Sequence, residues 1–245
     1  MSISTHQLAK MFGDFTAVHP LDLIVPAGTI HGFLGPNGSG KSTTVKMLTG
    51  LLRPTAGYAL INGLDMRTNP VAVKLSIGVL PEGLALFGAL TLWEHLMLAG
   101  PLYGLSNAET ETRANQLMRY LDLFEERYTY AGKASFGMRK KTALALALLT
   151  NPKTLFLDEP FEGIDPTSAE NIRELLVQMA SKGTTIFITS HILEVVETLV
   201  DSYSILADGR IVASGRIADL PPLSLKEIYF KHILRPAAEQ FEWLG

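Results

Sequence analysis

The 245-residue chain contains no cysteine. Disulfides, thiolate metal sites and cysteine nucleophiles are therefore excluded, and a reducing cytoplasm is compatible with this composition. Charge is sparse. Asp, Glu, Lys and Arg make up 18% of residues, below the usual quarter, and the formal net charge is −3. Such a balance offers no overall basic field to recruit nucleic acid. Long apolar runs are missing as well. The longest, Ala143 to Leu149, falls far short of the ~18–20 residues that span a bilayer. The start, Met1 to Gln7, lacks the basic opening and apolar core of a signal peptide. The expectation is a chain that does not enter a membrane by itself. Neither an internal repeat nor a low-complexity segment is present. What the chain does have is apolar material, 47% of residues. That suffices for one large domain or two small ones, with apolar surface left for a partner.

One stretch organises the rest. Gly35-Pro36-Asn37-Gly38-Ser39-Gly40-Lys41-Ser42-Thr43 satisfies G-x-x-x-x-G-K-[ST]. Ahead of it, residues 29–34 read as a short buried strand; behind it, residues 44–49 read as a helix that stops at Gly50. Strand, glycine loop and helix place unpaired backbone N–H groups and the positive helix end around a phosphate chain. In such a loop Lys41 neutralises the β- and γ-phosphates and the Ser42 hydroxyl ligates Mg²⁺. A glycine-rich turn could match by chance, but the flanking strand and helix make this a nucleotide-binding loop.

Around that loop the pattern is α/β. Residues 2–9 and 21–25 read as two strands, with turns through Gly13-Asp14 and His19-Pro20 between them. Further strands are expected at 58–63 and 77–80. Residues 91–149 carry helical periodicity. Thr91 and Glu94 form a capping-box pair, with Leu92, Leu96 and Leu98 on the apolar face. Helices are also expected over 107–123 and 138–149. This region, about 84–150, reads as a helical subdomain inserted in an α/β core. Strands return at 154–157 and 184–189, flanking a helix over 168–179. Asp208-Gly209 marks a hairpin between 203–206 and 210–213. A helical piece is expected over 225–234, in a tail that is either docked or frayed.

A second set of chemical residues sits at strand ends. Leu155-Phe156-Leu157-Asp158-Glu159 puts two acids at the C-terminal edge of a buried strand, where open α/β sheets bind ligands. Asp158 suits the Mg²⁺-holding role and Glu159 the polarisation of an attacking water. His191 ends the next strand. A lone histidine is usually structural, but this placement points to a γ-phosphate contact.

The order of these motifs resembles an ATP-binding cassette (ABC) ATPase over residues 1 to about 218, leaving 219–245 as a tail. The resemblance implies a P-loop NTPase core, a mostly parallel sheet with an antiparallel β subdomain, plus the inserted helices. It also recasts weaker features. Phe12 matches the aromatic that stacks on adenine. Glu82 takes the Q-loop position, usually glutamine, and as a carboxylate can still ligate the metal. Ala134-Ser135-Phe136-Gly137-Met138 matches the signature, normally L-S-G-G-Q; Gly163-Ile164-Asp165 resembles the D-loop; His191 matches the H-loop histidine. In the family the signature closes on ATP held by a second cassette, so Ser135, Gly137 and Asp165 are implied nucleotide contacts. Phe136 stands where glycine is usual. The resemblance therefore implies a slow site, or a ring turned outward.

The implied function is ATP hydrolysis, with Glu159 as base and Lys41 and His191 stabilising charge. It would drive transport through a separate membrane subunit, at the cytoplasmic face of the membrane, with a second cassette as partner and no nucleic acid. The wording of 77–82 and 224–230 resembles ABC-2-type exporters. A soluble cassette acting on ribosomes or DNA, and a low-turnover ATP-dependent clamp, are the competing readings.

Overall fold

A computed structural model describes residues 1–191, 193–220 and 224–233. The chain opens with a hairpin of β1 (Ile3–Phe12) and β2 (Phe15–Val25), which pairs Ile3 with Val25 and Phe12 with Phe15. Both strands are longer than the sequence pattern suggests, and His19-Pro20 lies inside β2 instead of in a turn. The register explains this. Pairing steps from Leu8↔Leu21 to Lys10↔Val18, so His19 and Pro20 fall at an irregularity opposite Ala9. There a missing proline N–H breaks no ladder bond. The His19 N–H instead donates to Gly209 O at 2.9 Å.

β3 (Ile30–Leu34) is buried along its whole length and runs into the phosphate loop and α1 (Lys41–Leu48). β4 (Ala56–Ile61) and β5 (Leu64–Asp65) complete a four-stranded antiparallel sheet of order β2-β1-β4-β5. α2 (Pro70–Ser76), absent from the sequence reading, is too short to display a period, and Pro70 occupies its first turn. β6 (Ile77–Leu80) follows.

The chain then forms α3 (Leu92–Leu102), α4 (Asn107–Tyr120) and α5 (Phe136–Leu148). Thr91 and Glu94 make the expected reciprocal capping box. Leu98, however, is half exposed, and His95 is buried on α3. Its ring is satisfied: Nδ1 lies 2.7 Å from the Thr91 carbonyl, and Nε2 accepts from the Phe87 N–H at 2.9 Å. α5 begins two residues before the expected start, because the Ser135 hydroxyl caps it.

β7 (Thr154–Asp158), α6 (Pro166–Ser181), β8 (Thr185–Ser190), α7 (Leu193–Glu197), β9 (Ser202–Ala207) and β10 (Arg210–Arg216) complete the core. The second sheet has the order β10-β9-β3-β8-β7-β6 and is parallel except at β10. α8 (Leu225–Ile233) docks on it: Leu225 and Tyr229 are buried, and the Leu225 N–H donates to Glu197 at 2.8 Å. Leu234, expected to end this helix, lies outside the described residues.

Side-chain alternation along the parallel strands divides the core into two layers. Leu155, Leu157, Ile186 and Ile188 face the helices; Phe33, Phe156 and Phe187 face the antiparallel sheet. His31 is buried on the second face, stacked on Phe187 with ring centroids 5.6 Å apart. Burial lowers its pKa from 6.5 to about 3. The folded protein therefore holds His31 neutral while the unfolded chain protonates it below about 6.5, so stability is lost as pH falls from 6.5 towards 3. We expect up to about 1.4 kcal/mol of lost stability per pH unit in that window from this residue. Urea unfolding at pH 4, 5 and 6 should show a shallower pH slope for His31→Gln than for the parent.

Candidate functional site

The strand order β3-β8-β7 brings three loop ends to one sheet edge, and everything chemical in the molecule follows from that adjacency. At the end of β3 the chain bends back over itself. A Cβ at Gly35 would lie 2.3 Å from Leu206 O and 2.6 Å from Ser39 Oγ, so no side chain fits there. Gly40 has φ +104, and a Cβ on it would meet Ala17 O at 2.7 Å. Pro36 and Ser39 line a separate cavity with Ala207, Asp208 and Phe230; Ser39 is buried and its Oγ has no partner among the described residues. Lys41 opens α1 and curls over the loop, its Nζ donating to Gly35 O at 2.8 Å and Pro36 O at 3.2 Å. Burial pushes this ammonium below its usual range, while the charges of Glu159, Asp158 and Glu82 pull the other way.

β7 and β8 run parallel with Asp158 opposite Thr189. Asp158 is buried, and desolvation raises its carboxyl above the usual range against hydrogen bonds from Thr189 and Ser42. Ser42 hydroxyl and Asp158 carboxylate are thus already in contact, with the Glu82 charge close enough to act on both Asp158 and Lys41. An all-oxygen set of two carboxylates and a hydroxyl suits Mg²⁺, a hard cation. Glu159 follows in a left-handed conformation, φ +50, which is costly for a residue with a side chain. Its N–H donates to Thr189 O at 3.2 Å and Thr189 Oγ1 at 3.1 Å, which holds the turn. Its carboxylate accepts from the His191 N–H at 3.3 Å and lies 2.9 Å from His191 Nδ1.

Lys41, Ser42, Glu82, Glu159 and His191 open on one cleft of about 510 Å³, whereas Gly35, Pro36, Ser39 and Asp158 lie outside its lining. Asn37, Gly38, Gly40, Lys41, Ser42 and Thr43 form its phosphate-loop side. Glu82, Glu159 and His191 form the opposite end, and Phe12 stands at the rim. Sequence reasoning missed four further lining residues: Phe15, Ala17, Lys46 and Glu162. Phe15 carried a signal, since the Gly13 turn returns it opposite Phe12 across the hairpin. The two rings are 50% and 65% exposed, an unusual cost for aromatics on a hairpin tip and one that a stacked base would recover. A larger cavity, about 790 Å³, opens between β2 and β9–β10 and contains none of the phosphate-loop residues.

Ser135, Gly137 and Asp165 do not line the cleft. They gather where the start of α5 meets the loop before α6. Ser135 Oγ accepts from the Met138 N–H at 3.2 Å, and Asp165 caps α6 by accepting from the Ser168 N–H at 2.9 Å. Lys141 Nζ lies 3.7 Å from Asp165. The Phe136 ring is folded sideways onto Gly163 of the same chain: a Cβ there would come within 2.5 Å of its Cδ1. Phe136 remains 41% exposed.

Phe12→Ala and Phe15→Ala are each expected to weaken adenine-nucleotide binding by about 1–3 kcal/mol, the value of a base–aromatic stack. Titration with ATP and with inorganic triphosphate checks this, because loss of a stack leaves triphosphate binding unchanged.

Comparison with known proteins bears directly on this cleft. The family model described as ABC transporter matches residues 18–162. The chain is 36% identical over 219 residues to the daunorubicin/doxorubicin resistance ATP-binding protein DrrA of Streptomyces peucetius, covering 89% of this chain and 66% of that protein. It is 35% identical over 218 residues to the linearmycin resistance ATP-binding protein LnrL of Bacillus subtilis, covering 89% and 70%. The chain thus spans about two thirds of the length of these relatives. A solved ATP binding subunit of an ABC transporter superposes with a TM-score of 0.88 at 33% identity, covering 94% of this chain and 99% of that one. The chain belongs to the ABC transporter family, as an ATP-binding cassette.

Proposed function

We propose that this chain is the ATP-hydrolysing motor of a membrane exporter, and that residues 1–218, with the helices of about 84–150 inserted, form its catalytic unit. The observation that carries the reading is the convergence of Lys41, Glu159 and His191 on one cleft from three adjacent strand ends, with Asp158 buried behind it and bonded to the lining Ser42. ATP lies with its base against Phe12 and Phe15 and its phosphates along the loop. Lys41 exchanges its bonds to the Gly35 and Pro36 carbonyls for β- and γ-phosphate oxygens. Ser42, Asp158 and Glu82 would hold Mg²⁺, which when bound would neutralise phosphate charge. Glu159 accepts a proton from the attacking water, and its contact with His191 fixes the carboxylate and sets the imidazole beside the γ-phosphate. Most of the acceleration comes from positioning and charge stabilisation.

The second cluster, Ser135, Gly137 and Asp165, then serves the ATP of a partner cassette. Its separation from the chain's own cleft is what that role requires. A separate membrane subunit is the other partner. Phe87, Leu98, Leu102, Tyr103 and Tyr128 are each exposed in the helical region, which leaves apolar area there for a short helix of that subunit. Such docking holds the chain at the cytoplasmic face of the membrane. Relatives named for daunorubicin/doxorubicin resistance and linearmycin resistance support export as the direction.

Glu159→Gln tests the assignment, because it keeps the shape of the turn and removes the base. The expected outcome is a turnover lower by about 10²–10⁴ with ATP binding retained. Hydrolysis at the parent rate would remove Glu159 from the mechanism. Recovery of a polytopic membrane protein with the tagged full-length chain checks the exporter reading; recovery with ribosomes would replace it.

A further inference from the structure

Lys140, in the second turn of α5, is among the largest fully buried side chains described, at 1% exposure. An isolated ammonium is not taken out of water without compensation. Its Nζ lies 3.9 Å from Glu162 Oε2 and 5.5 Å from the centre of the Phe136 ring. Burial lowers its pKa, and the charges that oppose this are those of Glu162, Glu159, Asp158 and Glu82, in that order.

Those four carboxylates are the acidic end of the nucleotide cleft. Glu82, Glu159 and Glu162 line it, and Asp158 bonds Ser42 beside it. Three of them, Glu159, Asp158 and Glu82, also act on Lys41 from the phosphate-loop side. The acidic end is therefore flanked by two buried lysines. Lys41 is placed to reach phosphate. Lys140 stands behind the wall, with Glu162 beside it. With every group ionised, four carboxylates and two lysines give −4 + 2 = −2 at the place where a triphosphate brings its terminal charge. Without Lys140 the sum is −3.

We propose that Lys140 is a buried counter-charge, a positioning residue that lets the acidic wall accept a terminal phosphate and so sets the preference of the cleft for ATP over ADP. The proposal rests on the reading above that the terminal phosphate lies at the Lys41–Glu159 end. Inside a protein a unit charge roughly 10 Å away still changes anion binding several-fold. The γ-phosphate is the phosphate nearest the carboxylates, so the effect falls mainly on the triphosphate.

Lys140→Met keeps the length of the aliphatic stem and removes the charge. Replacing a buried ion by an apolar isostere is often neutral for stability, so thermal unfolding separates packing from charge. Calorimetric titration of the full chain uses the non-hydrolysable analogue AMP-PNP and ADP, each with Mg²⁺. Lys140→Met should weaken AMP-PNP about five- to tenfold and ADP less than about twofold. Lys140→Arg should restore the parent values. Glu162→Gln, which thins the acidic wall and leaves the lysine charge unopposed, should act in the opposite sense and tighten AMP-PNP by about two- to fivefold.

An equal loss for both nucleotides, no loss, or failure of arginine to rescue would each make Lys140 a packing residue and overturn the proposal. Where Lys140→Met does not fold, Lys140→Gln takes its place and is compared with Lys140→Arg: a lower preference for AMP-PNP over ADP in the glutamine variant alone supports the counter-charge, and equal preferences in the two variants refute it. A parent protein that binds neither nucleotide defeats the underlying reading, which is distinguishable from a parent that binds both while the variants change nothing.

Discussion

Parallel pairing of β3, β8 and β7 is the constraint on which the molecule depends. Each strand contributes one chemical group at its C-terminal end: the phosphate loop after Leu34, His191 after Ser190, and Asp158 with Glu159 at the end of β7. The register fixes their heights relative to one another, because Leu34 faces Ser190 and Asp158 faces Thr189. A one-residue slip would invert every side chain on the slipped strand and bury the wrong face. The two-layer core forbids this, with phenylalanines packed on one side of the sheet and leucine and isoleucine on the other. Apolar burial thus holds the catalytic register, although no apolar side chain takes part in the chemistry.

A strained residue and two desolvated charges meet at this edge, where rigid strands can bear their cost. Glu159 adopts a left-handed conformation that a helix or strand interior would relax, and Thr189 holds it there with two acceptors. Lys41 and Asp158 are both buried with their charged forms disfavoured, one pushed down and the other up. A bound triphosphate and a divalent cation supply the opposite charges each of them lacks. The resting site is electrostatically incomplete, and completing it is what binding does.

A second principle of the architecture is division of labour. The cleft holds one set of motifs and the α5–α6 corner the other, and the corner is stitched within the chain. Phe136 lies on Gly163, Lys141 faces Asp165, and Lys140 faces Glu162. A phenylalanine at a position where the family uses glycine is accommodated because Gly163 has no Cβ to meet it. Loop and helix start therefore form one packed unit, coupled through Glu162 to the wall of the cleft.

Much of this was legible in the chain alone. The glycine loop between strand and helix, the acid pair at the end of an apolar strand, the capping box of Thr91 and Glu94 and the Asp208-Gly209 hairpin are local patterns, decided by backbone sterics and side-chain period over a few residues. Other features depend on neighbours distant in sequence. Pro20 sits inside β2 because the opposing strand slips register there. Phe15 becomes a cleft residue through the hairpin's return, and Lys140 is a buried charge because four carboxylates from two separate segments, Glu82 and residues 158–162, act on it. Short-range sterics and periodicity can be read along a chain. Burial, register and the sum of charges at a point are properties of the fold, and only the tertiary structure decides them.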